Sequence, residues 1–127
     1  MTETPVHFAK TVLSENTYQV SYNNEPILES NQVVLLNEHY EGKDFPSVKY
    51  FPKSEIDKLI TSDSNLSTTC SIKGDATYLN YKEAFDCIWY YKDPIENVAA
   101  IKDHYAFSQK KGFKTKEISD VSDRRLY

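Results

Sequence analysis

The chain has 127 residues, which is enough for one hydrophobic core and too few for two ordinary domains. Hydrophobic residues make up 39% and charged residues 27%, a globular balance that excludes an extended disordered chain. The net charge of −4 argues against non-specific nucleic-acid binding, which needs a phosphate-neutralising surface. We therefore expect one domain over residues 1–127 and no nucleic-acid partner.

The N-terminal segment MTETPVHFAK is polar and contains an acidic residue. It lacks the apolar stretch of a signal peptide or a membrane span, so we expect a cytoplasmic protein without a membrane partner. Residues 1–16 are expected to form a peripheral arm, and the polar residues 119–127 a peripheral tail.

The first half of the chain predicts a hairpin followed by two strands. Tyr18, Val20 and Tyr22 alternate with polar residues, NNEP supplies a turn, and ILES begins the return strand. QVVLLNEHY is typical of a buried strand with Glu38 near its end, and VKYFP of a short strand after the loop EGKDFPS. KSEIDKLI then predicts a short helix with Ser54 as its N-cap.

The second half predicts more strands. SDSNLS is typical of a loop, and TTCSI, ATYLNY and AFDCIWYY of three strands joined by turns at KGD and KE. KDPIENVAAI predicts a turn with one or two helical turns, and HYAFS and FKTKEI a last hairpin about QKKG. Many short strands with little helix indicate a mainly β fold, an antiparallel sandwich or open barrel.

Four stretches, YFP, TTCSIKGDATY, WYYKDP and IKDHYAFS, resemble the domain of unknown function 427 family, and the resemblance covers about residues 20–107. Ser71 and Thr69 depart from the family, which more often has Pro and His there. The resemblance implies a β-tent-like pair of antiparallel sheets, similar to the drug-binding domain of cereblon and to methionine sulfoxide reductase B, with a pocket between the sheets. Some classifications label the family nucleotidyltransferase-like, but the sequence has no Gly-rich phosphate loop and no paired acidic residues for Mg²⁺.

The two cysteines, Cys70 and Cys87, have no CxxC spacing, and the three histidines are scattered. A structural zinc site normally needs four ligands delivered as close pairs. We therefore predict no metal, no cofactor and two reduced thiols.

The candidate ligand site combines two charged residues with several rings. Lys73 is either a solvated charge beside a hairpin turn or a group that points into a pocket, and Glu38 is either a solvated strand end or its partner. An aromatic wall with a few polar groups is the usual form of a small-molecule site. The predicted ligand-binding residues are Glu38, Tyr50, Lys73, Tyr78, Trp89, Tyr91 and Tyr105.

Three functions of different classes remain open. The first is a binding module for a small polar ligand or a modified peptide end. The second is a thiol-dependent reductase that uses Cys70, with Cys87 as the resolving thiol. The third is a domain that binds other proteins through an exposed sheet edge.

Overall fold

A computed structural model describes residues 6–118, and these residues form eleven strands and two short helical segments. The strands are β1 (His7–Leu13), β2 (Thr17–Tyr22), β3 (Glu25–Ser30), β4 (Val34–Tyr40), β5 (Lys43–Asp44), β6 (Val48–Pro52), β7 (Thr61–Cys70), β8 (Gly74–Tyr81), β9 (Ala84–Tyr91), β10 (His104–Phe107) and β11 (Phe113–Ile118). The helical segments are α1 (Lys53–Ile56) and a 3₁₀ segment (Glu96–Ile101). Neither is long and apolar enough to cross a membrane, and no other helix lies within the described range.

The strands form two antiparallel sheets, and the predicted mainly β, β-tent-like architecture is confirmed. The large sheet has the order β1-β4-β6-β10-β9-β8-β7, with β5 paired to β4. The small sheet has the order β11-β2-β3. Consecutive strands are neighbours in the hairpins β2–β3, β7–β8 and β8–β9, whereas β1 and β11 pair with strands distant in sequence.

The predicted first hairpin is present. Asn23 and Asn24 both have positive φ values, 50° and 70°, which is the conformation of a two-residue turn that matches strand twist. Tyr18, Val20 and Tyr22 alternate as expected, and all three are buried. The alternation of apolar and polar residues in β2 therefore correctly predicted a strand with one buried face.

Two local predictions were wrong. Residues 62–67, predicted as a loop, belong to β7, where Ser62, Asp63 and Ser67 pair with β8 and an irregularity lies between Asp63 and Ser67. Their Ser, Asp and Asn side chains suit β7 because it is the edge strand of the large sheet and mostly exposed. Ser54 lies inside α1 rather than at its N-cap, which is Pro52, and no side chain caps this helix.

The predicted hairpin between β10 and β11 was also wrong. β10 lies between β6 and β9 in the large sheet, whereas β11 pairs with β2 in the small sheet. Phe113 at the start of β11 is only 1% exposed, because it packs between the two sheets. Sequence alternation identified both strands but could not identify their partners, since burial between the sheets decides the pairing.

The large sheet has a hydrophobic cluster on each face. Tyr50 and Phe51 are neighbours in β6 and belong to different clusters, as do Tyr105 and Ala106 in β10. Neighbouring strand residues point to opposite faces, so the clusters are separated by the sheet. The inter-sheet core includes Phe51, Ile88, Phe107 and Phe113 with side chains of the small sheet. The 3₁₀-side core includes Leu36, Tyr50, Tyr91, Val98 and Ile101.

Candidate functional site

An ion pair between Glu38 and Lys73 lies beside the 3₁₀-side core. The Lys73 Nζ is 3.0 Å from Glu38 Oε1, and the two side chains are 24% (Glu38) and 15% (Lys73) exposed. Glu38 is supplied by β4, and Lys73 by the turn between β7 and β8. The structure therefore brings together the two charged residues that the sequence singled out, although 34 residues separate them in the chain (73 − 38 − 1).

The turn that presents Lys73 is held at both ends. The Lys73 amide donates to Cys70 O at 3.3 Å, and Lys73 O accepts from the Ile95 amide at 3.0 Å. Gly74 follows with φ +116°, and a Cβ at this position would lie 3.2 Å from Asp93 O. Only glycine fits this backbone without strain, so the KGD sequence fixes the direction of Lys73.

His7 completes the charged cluster, and sequence reasoning missed it. Its Nε2 is 2.8 Å from Glu38 Oε2, so both carboxylate oxygens of Glu38 have partners. The pairing of β1 with β4 positions His7. Ala9 lies opposite Glu38 and His7 lies opposite Tyr40, so the His7 and Glu38 side chains are diagonal neighbours on one face of the sheet. The alternation in HFAKTVL is the signal that could have identified this strand within the segment expected to be a peripheral arm.

The ionisation of Glu38 reflects opposing effects. Burial by itself raises the pKa of its carboxyl group, while hydrogen bonds from His7 and Lys73 and the charge of Lys73 lower it. The net result is a pKa below the usual value. Glu38 is therefore held as a carboxylate and accepts from both partners.

Three of the predicted rings lie close together next to this cluster. Tyr78 and Trp89 face each other across β8 and β9, with ring centroids 6.3 Å apart. Trp89 Nε1 donates to Tyr50 Oη at 3.3 Å, and Tyr78 Oη shares a hydrogen bond of 2.9 Å with Thr68 Oγ1. Trp89 and Tyr78 are half-buried, so the rings form a wall that is open on one side.

Tyr91 is buried beside these rings. It shares a strand face with Trp89, is 6% exposed, and its hydroxyl makes no hydrogen bond to any residue between 6 and 118. Burial raises the pKa of Tyr91, and it raises that of Tyr50 to about 12. Both phenols are therefore neutral at physiological pH and can donate hydrogen bonds.

Tyr105 does not join this group. Its ring packs on Tyr90 at a centroid distance of 4.5 Å in the inter-sheet core, on the other face of the large sheet. The remaining predicted residues lie at the 3₁₀-side core, which contains no described residue of the small sheet. The site geometry thus differs from the expected pocket between the sheets.

The two cysteines are free thiols in different clusters. Cys70, at the end of β7, packs against the 3₁₀-side core, whereas Cys87 is fully buried in the inter-sheet core. Burial raises the pKa of the Cys87 thiol, which donates to Leu79 O at 3.6 Å and Ala84 O at 3.5 Å. The structure therefore does not bring Cys87 to Cys70, as a resolving thiol would require.

In the part of the chain that the structure describes, no three His, Cys, Asp or Glu side chains are grouped to hold a metal ion. The absence of a metal and of a cofactor from the protein stays a prediction. Donors are available to a ligand at this site, because Lys73 has further N–H groups and Tyr91 has its O–H. Each oxygen of Glu38 already accepts one hydrogen bond.

Cavities border this site on two sides. Trp89 lines one of about 300 Å³ together with Val48, Phe107 and Thr115, at the boundary with the small sheet. Glu38 contributes to a groove of about 600 Å³ on the other face of β1 and β4. Both cavities lie on the sheet faces away from the 3₁₀-side core, since Phe107 belongs to the inter-sheet core and Phe8, Lys10 and Val12 alternate with His7 and Ala9 in β1.

Fold and site together define a small, mainly β domain with a half-buried ion pair and an aromatic wall on one face of its larger sheet. The model of the family described as domain of unknown function 427 matches residues 10–119. The chain therefore belongs to this family, and the match extends beyond residues 20–107 at both ends. A search of curated proteins finds no match.

Proposed function

We propose that this domain is a binding module that holds a small polar ligand, or the modified end of a peptide, against the Glu38–Lys73 pair. One observation carries the proposal: the pair is 3.0 Å apart and mostly withdrawn from water beside an aromatic cluster. Burial offsets part of the free energy that the attraction between the two charges returns, so the pair is a modest source of stability. A role in ligand recognition accounts for the position of these two charges beside the rings.

The available hydrogen-bond donors favour a ligand that carries an acceptor. Glu38 is occupied by His7 and Lys73, so it orients the ammonium group rather than binding the ligand. Lys73 and the hydroxyl of Tyr91 can then donate to a carbonyl or carboxylate oxygen. The half-buried rings of Tyr78 and Trp89 would cover the apolar part of the same molecule.

Trp89 provides a direct test because it is the only tryptophan in the chain. We would identify small molecules that co-purify with the protein by native mass spectrometry, and titrate N-acetyl amino acids and their amides while recording Trp89 fluorescence. We expect saturable binding that Lys73→Met weakens by about tenfold, since a hydrogen bond to a charged group is lost. The matched control is Lys114→Met, which removes an exposed lysine of β11.

The proposal fails if no molecule co-purifies and none of the titrated compounds changes the fluorescence. It also fails if both lysine variants bind a compound as tightly as the parent protein does. The thiol-dependent reductase has less support, because Cys70 and Cys87 belong to different cores.

A further inference from the structure

The outer edge of β1 has no neighbouring strand in the described range, because β1 stands first in the order of the large sheet. The carbonyl of Val6 accepts from Glu41 N, and the amide of Ser14 donates to Val33 O. Hydrogen-bonded pairs alternate along an antiparallel ladder, and the β1–β4 register is continuous between these two contacts. The residues whose backbone amides and carbonyls point away from β4 are therefore His7, Ala9, Thr11 and Leu13.

β1 lacks the protection that the other edge strands have. β3 carries Pro26 and two glutamates, β11 carries Lys114 and Lys116, and β7 has an irregularity between Asp63 and Ser67. Such features discourage a further strand from adding to an edge. β1 instead exposes Val12 and Leu13, which are 51% and 68% exposed, and its one permanently charged residue is Lys10.

A groove lies beside this edge. Phe8, Lys10 and Val12 share one face of β1 and line a groove of about 600 Å³ together with His39, Asp44 and Phe45, and the Asp44 carboxylate lies 2.8 Å from His39 Nδ1. The Phe8 ring stacks on His39 at a centroid distance of 4.9 Å, which gives the groove a firm apolar floor. A strand added to β1 would place every second side chain over this groove.

We propose that β1 binds an extended segment of a partner protein as an added antiparallel strand with the pattern apolar–x–acidic–x–apolar. The acidic residue would lie opposite Lys10, which is exposed and has no ion-pair partner among residues 6–118. The apolar residues would lie opposite Phe8 and Val12. Pairs at these positions on the outer side are not hydrogen-bonded, so their side chains approach closely and their charges interact strongly.

A second copy of the chain fits this edge poorly. Antiparallel self-pairing of the whole strand about its centre would place Lys10 opposite Lys10 of the other copy. Like charges directly opposite each other destabilise a strand pair. The charge of the edge therefore favours a partner with an acidic strand. This inference is independent of the proposed ligand site, since it concerns the opposite face and the edge of β1.

The test uses the full chain and two fluorescein-labelled peptides, Thr-Val-Thr-Glu-Thr-Val-Thr and the same peptide with Lys in place of Glu. Fluorescence anisotropy at low salt should show the glutamate peptide binding about fivefold more tightly, since a cross-strand charge pair contributes about 1 kcal/mol. Lys10→Glu should reverse this preference. Lys114→Glu, on the edge strand β11, should leave it unchanged.

Amide hydrogen exchange locates the bound peptide. The outward amides of Thr11 and Leu13 should become protected on binding, because Leu13 is 68% exposed and Thr11 is half-buried, while the edges of β3, β7 and β11 should not change. Thr11→Pro removes an outward amide, so it should abolish peptide binding while the circular dichroism spectrum stays unchanged. If this variant unfolds, the reversed peptide preference of Lys10→Glu is the test of the proposal.

Several outcomes would overturn the inference. The first is the absence of binding by either peptide at about 1 mM. Others are an unchanged preference in Lys10→Glu and protection at a different edge. Concentration-dependent dimerisation that itself protects Thr11 and Leu13 would assign the edge to a second copy instead.

Discussion

At the scale of single residues, Glu38 connects two distant parts of the chain, because its carboxylate accepts from His7 of β1 and from Lys73. The pKa of Glu38 is lower in the folded than in the unfolded chain, where the reference value is 4.5. Its contribution to stability is therefore complete above the unfolded pKa and is lost as the pH falls through the folded pKa.

We predict that the free energy of unfolding falls as the pH drops below the unfolded reference value of 4.5 and through the lower folded pKa, and that Glu38→Gln reduces this dependence. Urea titrations at a series of pH values measure both quantities. Glu29→Gln is the control, since Glu29 is exposed and makes no ion pair within the described range. Equal pH dependence in the two variants would contradict the assignment of Glu38.

Trp89 allows a second prediction at this scale. Its indole donates to Tyr50 and packs against Tyr78, so Trp89→Ala should lower the free energy of unfolding by about 3 kcal/mol. Phe85→Ala in the same strand removes a ring that is 66% exposed and should change stability by less than about 0.5 kcal/mol. Urea unfolding followed by circular dichroism compares them, and losses of equal size would show that the Trp89 ring is not packed.

At the scale of elements, the β7–β8 turn determines where Lys73 points. Gly74 has φ +116° and lies against Asp93 O, whereas Gly42 has φ +80° and a Cβ added there would meet no atom within 4 Å. Comparing alanine substitutions at the two glycines therefore separates the effect of backbone conformation on stability from the effect of close contact.

We predict that Gly74→Ala lowers the free energy of unfolding by about 2–3 kcal/mol, because strain and crowding add at this position. Gly42→Ala should cost about 1 kcal/mol, from the backbone conformation alone. Denaturant unfolding of both variants gives the comparison. If the two variants lose equal stability, the packing of Asp93 against the turn is not as described.

At the scale of the whole molecule, the two sheets share one core. Phe113 of the small sheet packs against Phe107 of the large sheet at a centroid distance of 5.3 Å and against Tyr22 at 4.8 Å. The sheets should therefore unfold together, as small domains with a continuous core usually do.

We predict that Phe113→Ala lowers the free energy of unfolding by about 3–5 kcal/mol when it is measured through Trp89, which lies in the other sheet. Lys114→Ala, the exposed neighbour, should leave the transition nearly unchanged. The sheets unfold separately if Phe113→Ala lowers the circular dichroism signal but leaves the unfolding transition measured by Trp89 fluorescence unchanged.

The sequence by itself determined the fold class, the family and most strands, because alternation of apolar residues and turn residues act over a few neighbouring positions. It identified the hairpin at Asn23 and Asn24 and the charged pair Glu38 and Lys73. It predicted a loop over residues 62–67, because local composition does not reveal that β8 offers three of these residues a strand partner.

Only the tertiary structure decided which strands pair and which face each residue joins. β11 pairs with β2 rather than β10 because Phe113 is buried between the sheets, and Tyr105 is separated from the other rings by the sheet itself. His7 reaches Glu38 through the pairing of β1 with β4, across 30 intervening residues (38 − 7 − 1). These contacts depend on burial and strand register between segments that are far apart in the sequence. A pattern over a few neighbouring residues does not contain that information.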